Sequence, residues 1–136
     1  MVNHEVKTQY KTSLSDIMAA AQGIADLPKV NVNTTYLLFS GGAIRAVDGR
    51  TNGFVHGREY RMHGDILCES NTLLPLSKVL SFCYFVDQYA PTSMRAYYVV
   101  YDNDVQAIRI MFDYHGMCDY IWKLKPLSEM NSSYVY

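Results

Sequence analysis

The amino-acid sequence predicts an α+β fold in which two helices pack on antiparallel sheets and a β-α-β-β-β unit occurs twice. Two segments carry apolar residues at helical spacing, and each is followed by three alternating segments that end at turns. The interval from the helix start to the next long strand is nearly equal in both halves, Leu14 to Thr35 and Pro75 to Met94. The shared order and spacing indicate an internal duplication.

Length and composition favour one domain. The chain has 136 residues, of which 49% are hydrophobic and 18% charged, as is typical of a globular protein with its own core. We place the domain at residues 1–126, with halves at about 1–65 and 66–126. Residues 127–136 show no hydrophobic period, so we expect them to form a flexible tail.

The first half begins with a short strand at residues 5–10 and a helix capped by Ser13. Gly23 should weaken this helix by about 1 kcal/mol relative to alanine, and Pro28 should end it. The predicted apolar stripe consists of Leu14, Ile17, Met18, Ala21, Ile24 and Ala25.

The stretch 30–69 is predicted to contain four strands, at residues 30–39, 43–48, 54–60 and 66–69. Gly41-Gly42 supplies the positive φ that a tight hairpin between the first two requires.

In the second half, Asn71 or Thr72 is predicted to cap a helix that has Pro75 in its first turn and ends before Pro91. Three strands follow, at residues 94–101, 105–113 and 119–125.

The net charge of −1 lacks the basic excess of a protein that binds nucleic acid by charge alone. Basic residues concentrate in one region of the chain. A solvated sheet face is the favoured interpretation of this cluster, and an anion-binding patch is the alternative. Its members are Arg45, Arg50, His56, Arg58, Arg61 and His63.

Three cysteines with no CxxC pair indicate a reduced, cytoplasmic protein, and no run is apolar enough to predict a membrane partner. His115, Cys118 and Asp119 lie in one predicted turn, a geometry that seldom supports Cys–His catalysis. Only His115 and Cys118 show the close spacing of zinc ligands. We therefore expect no enzyme activity, metal or other cofactor.

Aromatic residues concentrate in the last three predicted strands. They could stack on nucleic-acid bases, but core or subunit interface is favoured, because only Arg95, Arg109 and Lys123 are interspersed with them. These aromatic residues are Tyr97, Tyr98, Tyr101, Tyr114, Tyr120 and Trp122.

Three segments resemble parts of a DNA sliding-clamp domain. The strand pair of a clamp is similar to NTTYLLFSGGAIRAVDGRTNGFVHG, in which Ala46-Val47-Asp48 stands at an Ala-Thr-Asp-like element. The crossing into the second clamp helix resembles GDILCESNTLLPLSKVLSFC, and the following hairpin resembles AYYVVYDNDVQAIRI. The resemblance covers most of residues 5–125.

The resemblance implies a ring of six such domains around double-stranded DNA, which it contacts nonspecifically. One domain per chain implies self-association, as a hexameric ring in the simplest case. The implied function is that of a phage-like processivity factor that tethers a DNA polymerase or another replication protein, with an apolar groove between the halves for partner peptides. The implied DNA contacts are Lys11, Lys29, Lys78, Arg45, Arg50, Arg58 and Arg61.

Two other functions remain open. A small oligomeric phage-type binding protein would capture a host protein or an anionic ligand, the latter in a pocket formed by Arg45, Arg50, Arg58 and Arg61. A hydrolase that uses His115 is the third possibility.

Overall fold

Two α-helices and two antiparallel sheets form the fold in a computed structural model that describes residues 4–50, 53–54, 59–62 and 64–129, with the backbone alone at 53–54. The predicted α+β class is confirmed. The strands are β1 (Val6–Thr12), β2 (Thr35–Ser40), β3 (Ala43–Asp48), β4 (Gly53–Phe54), β5 (Tyr60–Arg61), β6 (Thr72–Pro75), β7 (Thr92–Tyr101), β8 (Gln106–Asp113), β9 (Met117–Lys123) and β10 (Lys125–Pro126), and the helices are α1 (Leu14–Ala25) and α2 (Leu76–Tyr89).

Each half of the chain gives its first strand to the sheet of the other half. The small sheet has the order β1-β7-β8-β9, so β1 joins three strands of the second half. The large sheet has the order β10-β6-β2-β3-β4, with β5 also paired to β3, so β6 joins strands of the first half. The two halves of the chain therefore exchange their first strands, β1 and β6.

The predicted start of α1 is confirmed. The Ser13 side chain accepts a hydrogen bond from the Asp16 backbone N–H at 3.3 Å, which satisfies one of the free donors of the first turn. Most of the predicted stripe faces the core, and the helix ends at Ala25, before Pro28. Its buried residues are Leu14, Ile17, Ala20, Ala21 and Ile24.

Gly23 lies in the interior of α1 for a steric reason. A Cβ atom at this position would lie 1.8 Å from the hydroxyl oxygen of Tyr60, which belongs to β5. The missing side chain therefore allows β5 to approach the helix closely, which offsets the cost of glycine in a helix.

The hairpin between β2 and β3 forms as predicted, with Gly41 at a φ of 62° and Gly42 at 77°. The start of the first strand was predicted too early. Residues 31–34 form a turn in which the Asn31 carbonyl accepts hydrogen bonds from the Thr34 N–H and the Thr35 hydroxyl. These local bonds compete with extended structure, so β2 begins only at Thr35.

The predicted strand at 66–69 is wrong, because Ile66–Glu69 forms a 3-10 helix that the Asp65 side chain caps. The strand instead occupies Thr72–Pro75, where a helix cap was expected, and α2 follows directly without a side-chain cap. A short apolar run fits a strand and a buried helix equally well. This one forms a strand because it pairs with the edge of β2.

The other strands of the second half are confirmed, with β7, β8 and β9 close to their predicted bounds. The predicted strand at 54–60 is described only at its two ends, as β4 and β5. Of the expected tail, Leu127–Glu129 forms a 3-10 turn whose Leu127 N–H donates to the Asn71 carbonyl, and residues 130–136 lie outside the described part.

The core lies between the helices and the inner faces of both sheets. The helices pack against each other, α1 also contacts β3 and β7, and α2 contacts β2 and β6. Phe82 of α2 meets Trp122 edge-on, with ring centroids 5.5 Å apart, and packs against Phe112 at 5.9 Å. In the described chain, neither helix has the length and apolar character needed to cross a membrane.

Candidate functional site

The structure distributes the basic residues predicted to contact DNA over separate surfaces. Lys11 lies on β1 of the small sheet, Lys29 follows the end of α1, and Lys78 lies in the first turn of α2. Arg45 and Arg61 lie on paired strands of the large sheet. They therefore do not converge on one patch.

Two arginines of the sequence cluster converge on one carboxylate. The Nη2 atoms of Arg45 and Arg61 lie 2.9 and 3.1 Å from the same Glu59 oxygen. Arg50 lies 3.6 Å from Asp48, whereas Arg58 lies outside the described residues. Each of these three arginines thus already faces an acidic partner, which reduces the charge available to an external anion.

The exposed surface of the helix pair is weakly charged and slightly acidic. Over their full described lengths, the two helices carry Asp16 and Asp87 against the single basic residue Lys78. The remaining exposed positions are short or uncharged, and they include Ser15, Ala19, Gln22, Ser81 and Tyr84. The electrostatic attraction of this surface for phosphates is therefore low.

A second basic surface lies on the face of the small sheet that points away from the helices, called here the outer face. Tyr98, Ile108 and Trp122 belong to the core. Successive strand residues point to opposite faces, so the residues between them point outward. Cross-strand pairing then places Lys11, Tyr97, Arg109 and Ile121 in one row across the four strands.

Arg95 lies beside this row, because it is two residues before Tyr97 on β7. Its Nη1 donates to the Ser93 carbonyl at 2.8 Å. Arg109 donates from Nε to both oxygens of Asp119, at 3.1 and 2.9 Å, and these hydrogen bonds raise the pKa of Arg109. In contrast, Lys11, Arg95 and Lys123 form no ion pair with any described residue.

The outer face also contains a depression of about 480 Å³. Ala107 is buried in the sheet and contributes its floor, while Tyr101, Ile121 and Lys123 contribute its walls. A second groove of about 520 Å³ lies between the start of α1 and β7, and Lys11 and Arg95 both line it. Leu14, Met18 and Gln22 of α1 also line this groove, so it opens on the helix side of β7, and the depression beside Lys123 is the one that belongs to the outer face.

The edge strand β9 exposes apolar side chains. Among the described strands, β9 pairs only with β8, which leaves its outer backbone groups free of a partner strand. Met117 is 61% exposed and Ile121 is 50% exposed. A long edge strand with exposed apolar residues favours pairing with another strand.

A cleft of about 460 Å³ lies where the chain passes from the small sheet to the large one. All of its lining residues come from residue 103 onward, in the second half of the chain and its tail, and they are both polar and apolar. The lining includes Val105, Gln106, Leu124, Pro126 and Glu129.

Cys118 faces main-chain carbonyls, with Sγ 3.6 Å from the Tyr114 and Gly116 oxygens. His115 instead packs against the Tyr114 ring, with centroids 4.5 Å apart. No three potential metal ligands come together within residues 4–50, 59–62 and 64–129, and His56 and His63 lie outside those ranges. The described geometry offers no nucleophile–base pair between Cys118 and His115.

The cysteines should differ in reactivity. Cys68 and Cys83 are buried and Cys118 is half-buried. Burial raises the pKa of the Cys68 thiol from 9.0 to about 12, so native Cys68 should react with a thiol reagent at pH 8 at least about ten times more slowly than after unfolding. Time-resolved labelling with mass spectrometry would measure this ratio, and equal rates would contradict the burial of Cys68.

The same pKa shift has a defined effect on stability. The folded Cys68 thiol keeps its proton to a higher pH than the unfolded thiol. Its contribution to the free energy of unfolding is therefore complete below pH 9 and is lost as the pH rises toward about 12.

The aromatic cluster of the last strands divides between two faces. Tyr98 and Trp122 are buried, as favoured from the sequence, and Tyr114 packs against the core. Tyr97 and Tyr101 instead lie half-buried on the outer face. Base stacking by these tyrosines is the less favoured alternative from the sequence. The odd-numbered positions of Arg95, Tyr97, Tyr101 and Arg109 were a usable signal that they share one sheet face.

Comparison of the chain with protein-family models, with curated proteins and with solved structures found no match.

Proposed function

We propose that the protein is a non-enzymatic, clamp-like processivity factor that assembles into a ring around duplex DNA and tethers replication proteins there. The observation that carries this proposal is the reciprocal exchange of β1 and β6 between the two sheets. The exchanged strands take equivalent places in the connectivity, with β1 beside β7 and β6 beside β2, which supports a duplicated β-α-β-β-β unit.

The exchange also accounts for the position of the helices. Each helix directly follows an exchanged strand, α1 after β1 and α2 after β6. The two helices consequently lie side by side on one side of both sheets, and contact each other. A layer of paired helices backed by a layer of sheets is the arrangement that the clamp resemblance implies for each sector of a ring.

Ring formation requires two different surfaces that fit each other, because identical patches would give only a closed dimer. In this proposal the exposed edge of β9 pairs with the β4 edge of the large sheet in the next copy, which extends the sheet across the boundary. Head-to-tail contacts of this kind close into a ring, and six single-domain copies would match the domain number of known clamps. The cleft beside Leu124 and Pro126 would receive a peptide of a replication protein.

The weak charge of the helices is compatible with a ring that stays on DNA because it encloses the duplex, and not because it binds the phosphates tightly. Each copy would present Lys78 together with Asp16 and Asp87 toward the DNA. Because few phosphates are neutralised, binding to linear DNA should be weak and should fall further with salt. A closed ring would nevertheless remain on circular DNA.

The test combines native mass with retention on circular DNA. Wild-type protein should form a hexamer that stays on a nicked circle at high salt and leaves when the circle is linearised. Ile121→Lys on β9 should abolish the hexamer and the retention, since it places a charge in the paired edge. The matched control is Val6→Lys, at a 41% exposed site on β1, the opposite edge of the same sheet.

Three results would overturn the proposal: a wild-type protein that stays monomeric or dimeric, equal retention on linear and circular DNA, or equal loss of the hexamer in both variants. Trp122 fluorescence confirms that each variant is folded, because this single tryptophan is buried beneath α2.

A further inference from the structure

We infer that the outer face of the small sheet binds single-stranded nucleic acid, with Tyr97 stacking on a base and Lys11, Arg95 and Lys123 contacting phosphates. This site lies on the opposite side of the sheet from the helices and does not depend on ring formation. It follows from the charge and the aromatic residues of this face and from the depression at one end of it.

The first observation is a pair of neighbouring cations without a counter-ion. Lys11 lies opposite Tyr97, and Arg95 is two residues from Tyr97 on the same strand, so Lys11 and Arg95 are diagonal neighbours on one face. The Cα atoms of diagonal neighbours on adjacent strands are about 7–8 Å apart. Neither side chain forms an ion pair within the described part of the chain. The Arg95 guanidinium extends toward β9, where Nη2 lies 3.6 Å from the Met117 sulfur, so Lys11 and Arg95 would each contact a separate phosphate.

The second observation is the aromatic ring between the cations. Tyr97 is flanked by Lys11 on β1 and by Arg109 on β8. It is half-buried, so its ring has a supported side and an accessible side. Bidentate bonding to Asp119 holds the Arg109 guanidinium in place. A fixed aromatic ring beside cations is the arrangement that stacks unpaired bases and contacts the adjacent phosphates.

The third observation is the depression at the other end of the face. Its volume of about 480 Å³ lies within the range of small-molecule pockets, about 300–1,000 Å³. Tyr101 offers a second ring there, and the ammonium group of Lys123 borders it. Tyr97 and Tyr101 both lie on β7, so a chain that follows β7 from one ring to the other would meet Lys11 and Arg95 at one end of its path and Lys123 at the other.

Several features favour a single strand over a duplex. The major groove of duplex DNA admits a helix or a two-stranded ribbon, which is narrower than this four-stranded face, whereas unpaired bases can lie flat on its tyrosines. Val99 is fully buried although it points to this face, so its longer neighbours cover it and form a surface without a deep cleft at the centre. Such a surface provides stacking and charge, and it should tolerate many base sequences.

The test is the fluorescence anisotropy of labelled oligo(dT), with a duplex of equal length as the competing probe. The wild-type protein should bind oligo(dT) more tightly than the duplex, and more weakly as salt rises. Tyr97→Ala should weaken binding to oligo(dT) about ten-fold. Lys11→Ala and Arg95→Ala should each lower the slope of log K against log salt by about 0.7.

A matched control separates this site from the helix layer. Tyr84→Ala removes a tyrosine that is 67% exposed on α2. It should leave oligo(dT) binding unchanged. An absence of oligo(dT) binding at low salt, a preference for duplex, or equal losses in Tyr97→Ala and Tyr84→Ala would overturn the inference. Retention on circular DNA is measured separately, so either proposal can fail without the other.

Discussion

Replacing Phe82 by alanine is expected to lower the free energy of unfolding by about 3–5 kcal/mol. Phe82 is 5% exposed and lies at the centre of the aromatic core, where its ring contacts Phe85, Phe112, Tyr120 and Trp122. Its removal costs the transfer free energy of a large apolar side chain. It also opens a cavity that rigid aromatic neighbours fill poorly, which adds to the loss.

Urea denaturation followed by Trp122 fluorescence measures this loss directly. The indole packs against the Phe82 ring, so the native emission should also shift when that ring is removed. Tyr84→Ala is the matched control, because Tyr84 lies on the same helix but points into solvent. A loss below about 1 kcal/mol for Phe82→Ala, or equal losses for both variants, would show that Phe82 does not anchor the core.

Replacing Asp65 by alanine is expected to cost about 1.5–3 kcal/mol. One carboxylate connects three parts of the chain: it accepts hydrogen bonds from the Thr12 hydroxyl at 2.6 Å, the Ser13 N–H at 3.4 Å and the Leu67 N–H at 3.0 Å. Alanine would leave the buried Thr12 hydroxyl without this partner and would remove the cap of the 3-10 helix.

Asp65→Asn provides the control for charge and shape. The asparagine carbonyl can still accept from Thr12 or Leu67 but carries no charge, so this variant should lose less than half as much stability as Asp65→Ala. Thermal unfolding of the three proteins side by side gives the comparison. If Asp65→Asn and Asp65→Ala lower the stability equally, the negative charge of Asp65 matters more than its ability to accept hydrogen bonds.

Local signals predicted the parts of the fold that local interactions decide. The Ser13 cap, the end of α1 before Pro28 and the glycine hairpin at 41–42 each depend on residues within one turn of each other. Nothing local, in contrast, distinguishes a strand from a helix at Thr72–Pro75. That segment is a strand because it pairs with the edge of β2, where Tyr36 is the partner of Pro75 and Phe39 the partner of Thr72.

The candidate site was less accessible to sequence reasoning than the fold. Lys11 was predicted to contact duplex DNA together with Lys29 and Lys78, yet its neighbours on the sheet are Tyr97 and Arg95. These contacts exist only because β1 pairs with β7 in one particular register, and a shift of one residue would point Lys11 to the core. Sequence alone fixes the alternation of each strand but not which strands meet.

The exchange of first strands also affects how the chain is made. β1 leaves the ribosome well before its partner β7, which is synthesised only after strands β2 to β6 and both helices. Pairing between such distant segments closes a long loop and gives a high contact order, which predicts slow folding. Until β7 emerges, β1 has unpaired backbone groups along both of its edges. At this stage the nascent chain is most open to binding by a chaperone or to pairing with another copy of the chain.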